Sequence, residues 1–189
     1  MSSSRAEFLC ARRLIGLLAL GMVLLLGLMP ASASGERSSP EDRQRFVSIT
    51  RELEQAPLKP ALKADRAWAL EWLTNAPDVT ANVCADKLGG LLQSKYPYAG
   101  EIVLQDTFSM AALQIEHPET AHDPNAQQLA GMEGALNAYR SILRDKPEAK
   151  SPALESLLQT QARGELPDYV GKAWIRCSAK SGEKLPTMR

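Results

Sequence analysis

Asp106 is the residue whose setting in the sequence comes closest to that of a general acid or base. It lies in the apolar stretch 101–116 and, at about 100° per residue on a helix, falls between Ile102, Met110 and Leu113. An apolar setting raises the pKa of a carboxyl group, which suits that group to proton transfer. The same carboxylate could instead reach solvent or meet an arginine or lysine of another helix. The sequence leaves both alternatives open and favours the structural one.

Both histidines of the chain lie in one short stretch, HPETAHD, which begins at His117 and ends at Asp123. Imidazole and carboxylate groups bind zinc, so His117, His122 and Asp123 are the candidates for a metal site. Pro118 and Pro124 place the stretch in a connection rather than on one helical face. The simpler interpretation is a loop in which Asp123 caps the next helix. The sequence therefore favours no metal, and it contains no motif for another cofactor.

Residues 1–33 are predicted to be a signal peptide. Cys84 and Cys177 are the two cysteines outside it, and they lie 93 residues apart in the sequence. Disulfides form and persist in the compartments to which exported proteins are delivered. Neither cysteine belongs to a Cys-x-x-Cys pair, and neither is beside a histidine in sequence. The sequence therefore predicts a structural disulfide between Cys84 and Cys177, with a reactive thiol as the alternative.

The segment 95–98, KYPY, carries Tyr96 and Tyr98 just before the central apolar stretch. Tyrosines combine a large contact area with a polar tip and are enriched at binding hot spots. A loop held between Gly90 and a rigid helix could present both rings at little entropic cost. Tyr96 and Tyr98 are therefore the candidate binding residues. The alternative is that their rings cover the end of the helix.

The start of the chain has the order of a secretory signal peptide. Basic residues precede an uncharged apolar run over 14–29, and a small-residue site that ends at Ala33 follows it. The run is shorter than the roughly 20 residues that a membrane-spanning helix needs. We therefore predict a cleaved signal peptide over 1–33, a flexible lead over 34–39 and a periplasmic or secreted product. A twin arginine at 12–13 leaves the Sec and Tat routes both open.

The charge of the full chain is balanced, with 22 lysines and arginines against 22 aspartates and glutamates. Removal of residues 1–33 would take away more basic residues than acidic ones and leave a slightly acidic chain. Binding to nucleic acid or to an anionic membrane usually relies on a basic patch. The sequence therefore predicts neither nucleic acid nor, after cleavage, a membrane as a partner.

Apolar periodicity and proline caps predict helices over most of the mature chain. The stretch 101–116 is apolar around most of its circumference, so other helices must surround it. The helix after Pro124 has an apolar seam at steps of three and four and is its predicted antiparallel partner. Gly131 and Gly134 lie beside that seam. Because mid-helix glycine costs about 1 kcal/mol relative to alanine, we expect another backbone to approach closely there. The seam residues are Leu129, Met132, Leu136, Tyr139 and Leu143.

The predicted fold is all-α, a single-domain bundle of about six helices around a buried central helix, with one long-range disulfide. The helical domain should span residues 40–178, and a flexible tail should follow over 179–189. Residues 78–92 are compatible with helix or with extended structure. Their glycine pair, Gly89-Gly90, lacks the further glycines of a phosphate-binding loop.

The sequence favours a non-catalytic exported protein that binds a protein partner or a small ligand. The alternative is a small periplasmic hydrolase that uses Asp106 or the loop containing His117 and His122. A serine nucleophile would have to pair with one of these histidines, because the chain has no others. No nucleophile-turn motif lies near either of them.

Overall fold

Six α-helices make up most of residues 37–181, the part of the chain that the computed structural model describes. They are α1 (Pro40–Gln55), α2 (Lys63–Asn75), α3 (Ala99–Glu116), α4 (Pro124–Asp145), α5 (Pro152–Ala162) and α6 (Leu166–Ser181). Three 3₁₀ helices lie in the connections, at Pro60–Leu62, Ala85–Leu88 and Leu91–Gln93. Strands are absent from these residues, so the predicted all-α class and number of helices are confirmed.

The limits of the helical domain can be compared with the predicted ones only within the described residues. The predicted signal peptide, 1–33, lies outside them. At the other end, α6 continues past residue 178, where the tail was predicted to begin, and reaches Ser181. Within residues 37–181, no helix is long and apolar enough to cross a membrane.

Side chains cap two helices, and the cap of α4 is the one that the sequence predicts. The Ser39 side chain accepts a hydrogen bond from the backbone N–H of Asp42 at the start of α1. The Asp123 carboxylate accepts one from the backbone N–H of Asn125 at the start of α4. Each bond satisfies a backbone donor that the first helical turn leaves free, and proline occupies the first turn of both helices.

Helix α3 lies between two hydrophobic clusters, as its apolar circumference predicts. Ile102 belongs to a cluster formed with α4, α5 and α6. Phe108, Ala111 and Ala112 belong to a second cluster formed with α1 and α2. All four side chains are fully buried. The predicted seam of α4 packs in the first cluster, which confirms α4 as a neighbour of α3.

Glycines allow α3 and α4 to approach closely. A Cβ atom added to Gly131 would lie 2.8 Å from the backbone oxygen of Asp106, and one added to Gly134 would overlap the Ser109 side chain. The close approach predicted beside the seam is therefore confirmed. Ser109 and Gln105 are buried at this crossing, where the Gln105 amide donates to the Ser109 hydroxyl.

We expect Gly134→Ala to destabilise the protein by about 1–3 kcal/mol, since the added methyl group must push α3 and α4 apart. Gly171→Ala is the matched control. Gly171 also lies within a helix, α6, but its nearest neighbour to an added Cβ is the Asn125 side chain at 3.8 Å. There alanine should stabilise by up to about 1 kcal/mol through helix propensity. Urea unfolding of both variants measures the difference, and equal effects would contradict the close approach.

A predominantly irregular segment connects α2 to α3 and is crosslinked to α6. Residues 79–84 have no regular structure, and the 3₁₀ helices Ala85–Leu88 and Leu91–Gln93 follow them. Cys84 forms the predicted disulfide with Cys177, with 5.9 Å between their Cα atoms. The Tyr169 hydroxyl of α6 also donates to the backbone oxygen of Lys87, at 3.1 Å. The segment is thus held against α6 at neighbouring points.

Candidate functional site

Asp106 faces a lysine that is not among the candidates predicted from the sequence. Lys87 projects from the 3₁₀ helix Ala85–Leu88 toward α3, and its Nζ lies 2.8 Å from Oδ1 of Asp106. Both side chains have 0% of their surface exposed. The sequence left an acid–base role and a structural role open for Asp106. The observed contact is the structural one, in which the carboxylate meets a lysine from another element.

Helix α4 completes the surroundings of the Lys87 amine. The side-chain oxygen of Gln128 accepts a hydrogen bond from Nζ at 2.6 Å, and the backbone oxygen of Gln128 accepts another at 3.3 Å. The sulfur of Met110 lies 3.7 Å from the same nitrogen. Gln128 in turn donates its amide to the backbone oxygen of Asn82, at 2.6 Å. Three elements thus converge on one amine.

The carboxyl group is less completely paired than the amine. Within residues 37–181, both carboxylate oxygens of Asp106 are buried, and neither has a hydrogen-bond partner apart from the ion-pair contact of Oδ1 with Lys87. The space for the carboxylate comes from Gly131, because a Cβ there would lie 2.8 Å from Oδ1. A buried polar atom without a partner costs about 1–3 kcal/mol.

Burial shifts the pKa values of the two groups toward their neutral forms. Loss of hydration raises the pKa of Asp106, and the nearby Lys87 opposes this shift. Loss of hydration lowers the pKa of Lys87, and Asp106 opposes that shift. Transfer of one proton from the ammonium to the carboxylate would give a neutral amine beside a carboxylic acid. Burial therefore narrows the free-energy gap between the ionic and neutral forms of the pair.

The closed surroundings limit what this pair can do. A general acid or base must come within hydrogen-bond reach of the substrate proton or reach it through one water. A side chain with no exposed surface has no such access in this conformation. Asp106 and Lys87 contact each other, but in this conformation they cannot contact a molecule in solution. The sequence signal that could have indicated Lys87 is its position one turn after Cys84, beside the buried Leu88.

Tyr96 and Tyr98 pack against the first hydrophobic cluster. Their rings meet edge to face with centroids 5.7 Å apart, and Tyr96 meets the buried Tyr139 at 6.2 Å. Both rings are half-buried, whereas Lys95 and Pro97 between and beside them are exposed. Tyr96 therefore contributes to packing, and the outer surface of the loop consists of Lys95, Pro97 and the exposed parts of the two tyrosines.

The hydroxyls of Tyr96 and Tyr139 differ in their partners. Tyr139 donates to Glu155 at 2.6 Å and accepts from the backbone N–H of Ser151 at 2.9 Å. Burial and the Glu155 carboxylate raise the pKa of Tyr139 to about 12. The Tyr96 hydroxyl is also buried, but it has no hydrogen-bond partner in the described part of the chain. Burial likewise raises the pKa of Tyr96.

We expect opposite outcomes when each hydroxyl is removed. Tyr96→Phe should leave stability unchanged or raise it by up to about 1 kcal/mol, because it deletes an unpaired buried polar group. Tyr139→Phe should cost about 1–3 kcal/mol, since it leaves the Ser151 N–H without its acceptor. Chemical unfolding near neutral pH, where both hydroxyls are protonated, compares the two. A larger loss for Tyr96→Phe would show that its hydroxyl has a partner.

The two histidines lie on the connection between α3 and α4. His117 Nδ1 is 3.2 Å from a carboxylate oxygen of Glu119, and both side chains are exposed. His122 is exposed as well, and Asp123 caps α4. Among the residues that the structure describes, no group of three or more histidines, cysteines, aspartates and glutamates is arranged to hold a metal ion.

These features define an all-α protein with one disulfide and a buried lysine–aspartate pair between its central helix and an irregular segment. Comparisons with protein-family models, with curated proteins and with solved structures give no match.

Proposed function

We propose that this chain is an exported, non-catalytic helical protein that binds a protein partner or a small ligand. The observation that carries the non-catalytic part is the complete burial of Asp106, the chain's strongest candidate for acid–base chemistry, beneath the 3₁₀ helix Ala85–Leu88 and α4. A carboxylate that no substrate can contact cannot transfer a proton to or from one.

Export is supported by the disulfide between Cys84 and Cys177. Such bonds persist in oxidising compartments and are rare in the cytosol. The signal peptide predicted over residues 1–33 would deliver the chain there. Amino-terminal sequencing of the protein recovered from the native host should begin at Ser34 or within a residue or two of it. A soluble cytoplasmic product that retains Met1 would contradict export.

The proposed binding surface is the exposed part of segment 95–98. The observation that supports this choice is that the segment is anchored to the core, because Tyr96 packs against Tyr139 of the first hydrophobic cluster. A preformed loop loses little conformational entropy when a partner binds. Lys95 supplies a charge and Tyr98 an amphipathic ring at the same surface.

The test separates binding from folding by avoiding Tyr96, whose replacement would disturb the cluster. Lys95→Glu and Tyr98→Ser change the exposed surface. Lys172→Glu is the control, because Lys172 is also an exposed lysine and lies on α6. Each mature protein is immobilised and exposed to periplasmic extract of the native host. We expect both surface variants to lose the partner that wild type and Lys172→Glu retain, while Lys95→Glu keeps the melting temperature of wild type.

Equal retention by all variants would exclude this surface. The hydrolase alternative makes a different prediction. It requires turnover of at least one substrate on a panel of esters, peptides and glycans. Because Asp106 is buried out of reach of a substrate, that turnover should disappear in His117→Ala or His122→Ala. Such a result would replace the binding proposal.

A further inference from the structure

The side chains of Lys87 and Asp106 are placed as the two reacting groups of an amide bond would be. The nucleophile, Nζ of Lys87, touches one oxygen of the Asp106 carboxyl group at 2.8 Å, and neither side chain is exposed. Reacting groups that a fold holds in contact behave as if their concentration were many orders of magnitude above that in solution. We propose that Lys87 and Asp106 condense to an intramolecular isopeptide bond.

The reaction needs no partner beyond the two side chains. Proton transfer within the pair gives a neutral amine and a carboxylic acid. The amine lone pair attacks Cγ of Asp106, forming the C–N bond, and the C–O bond to the hydroxyl then breaks. That hydroxyl leaves as water with one of the two amine hydrogens. The product is a secondary amide, and no electrons are gained or lost overall.

The surroundings favour the amide in two ways. Two buried charges become one neutral group, which removes the large cost of keeping ions away from water. Gln128 orients the amine through its side-chain oxygen, 2.6 Å from Nζ, and the same oxygen can accept the amide N–H afterwards. Burial also shifts the pKa values of both groups toward the neutral forms that react.

The chain contains its own control, an ion pair of the same residue types. Lys180 Nζ lies 2.5 Å from a carboxylate oxygen of Asp86, but these side chains are 71% and 42% exposed. Water hydrates both charged groups there, so no burial favours the neutral forms that would have to react. Condensation should therefore occur at Lys87 and Asp106 and not at Lys180 and Asp86.

The bond would join the irregular segment to α3, next to the disulfide that joins it to α6. Two covalent links would then hold a segment that contains few backbone hydrogen bonds of its own. Unlike the disulfide, the isopeptide bond would survive reduction.

Intact mass spectrometry of the purified, denatured and reduced protein tests this directly. Wild type should weigh about 18 Da, one water, less than the sequence that starts at its measured amino terminus. Lys87→Met and Asp106→Leu should each show their full sequence masses. A wild-type protein of full mass overturns the proposal, and so does a deficit that persists in Lys87→Met.

Peptide mapping locates the bond and does not depend on whether a variant folds. Trypsin and a glutamate-specific protease together cleave after Glu71, Lys95, Glu101 and Glu116. The proposal predicts residues 72–95, uncleaved at Lys87, joined to residues 102–116. Separate peptides with normal cleavage at Lys87 would overturn it. A crosslinked peptide containing Lys180 would also overturn it, because the exposed pair would then react as well.

Discussion

Lys87→Met is expected to lower the free energy of unfolding by about 3–5 kcal/mol, the range found when one partner of a buried ion pair is removed. The physical reason is the Asp106 carboxyl group that remains. It would be buried without the cation that offsets its loss of hydration, and no other hydrogen-bond partner faces it within residues 37–181. Urea unfolding followed by circular dichroism measures the change.

Two further variants show whether the loss comes from the unpaired carboxyl group. The double variant Lys87→Met with Asp106→Leu removes both polar groups and should be more stable than Lys87→Met alone, because it leaves no buried carboxyl group without its cation. Lys180→Met breaks the exposed pair with Asp86 and should change stability little. A double variant no more stable than Lys87→Met alone would contradict the explanation.

The loss of unfolding free energy in Lys87→Met, relative to wild type, should also become larger as the pH rises. Burial raises the pKa of Asp106, so the folded state keeps this proton to a higher pH than the unfolded chain. The group therefore disfavours folding progressively as pH rises from its unfolded pKa of about 4 through the folded value. The variant should come closest to wild type at acidic pH. A deficit that grew on acidification would exclude Asp106 as its source.

Loss of the disulfide is the second large effect. We expect Cys84→Ser with Cys177→Ser to reduce the free energy of unfolding by about 2–5 kcal/mol. The crosslink spans 93 residues, and the chain-entropy model assigns more stabilisation to longer closed loops. The disulfide also holds the segment around Lys87 against α6. Its loss would therefore affect the neighbouring hydrogen bond from Tyr169 to the backbone oxygen of Lys87 as well.

Reduction of the wild-type protein provides an independent measurement of the same quantity. Reduced wild type and the double serine variant should unfold at similar denaturant concentrations, and reductant should not affect the variant. Free thiols at both cysteines of the unreduced, exported protein would refute the crosslink. A stability loss in the variant that reductant cannot reproduce in wild type would point to the serine side chains instead.

The sequence by itself determined the helices and the pairing of the cysteines. Apolar spacing at three and four residues is local information, and it placed the seam residues Met132 and Tyr139 in the core correctly. Caps are local too, since Ser39 and Asp123 act on backbone groups two or three residues away. Elimination left Cys177 as the partner of Cys84. Mid-helix glycine at 134 indicated close helix packing, because its propensity cost needs a compensating contact.

Only the tertiary structure decided what surrounds Asp106. Its position among apolar neighbours could be read from the helical repeat, but its partner lies 19 residues away in an irregular segment whose course no periodicity describes. Lysine is seldom buried unless it is paired, so Lys87 on its own reads as a surface residue. The same limit applies to Tyr96, whose contact with Tyr139 joins two elements distant in sequence. These contacts depend on how separate elements pack together. That packing also decides whether a polar group faces water, a hydrogen-bonding partner or the core.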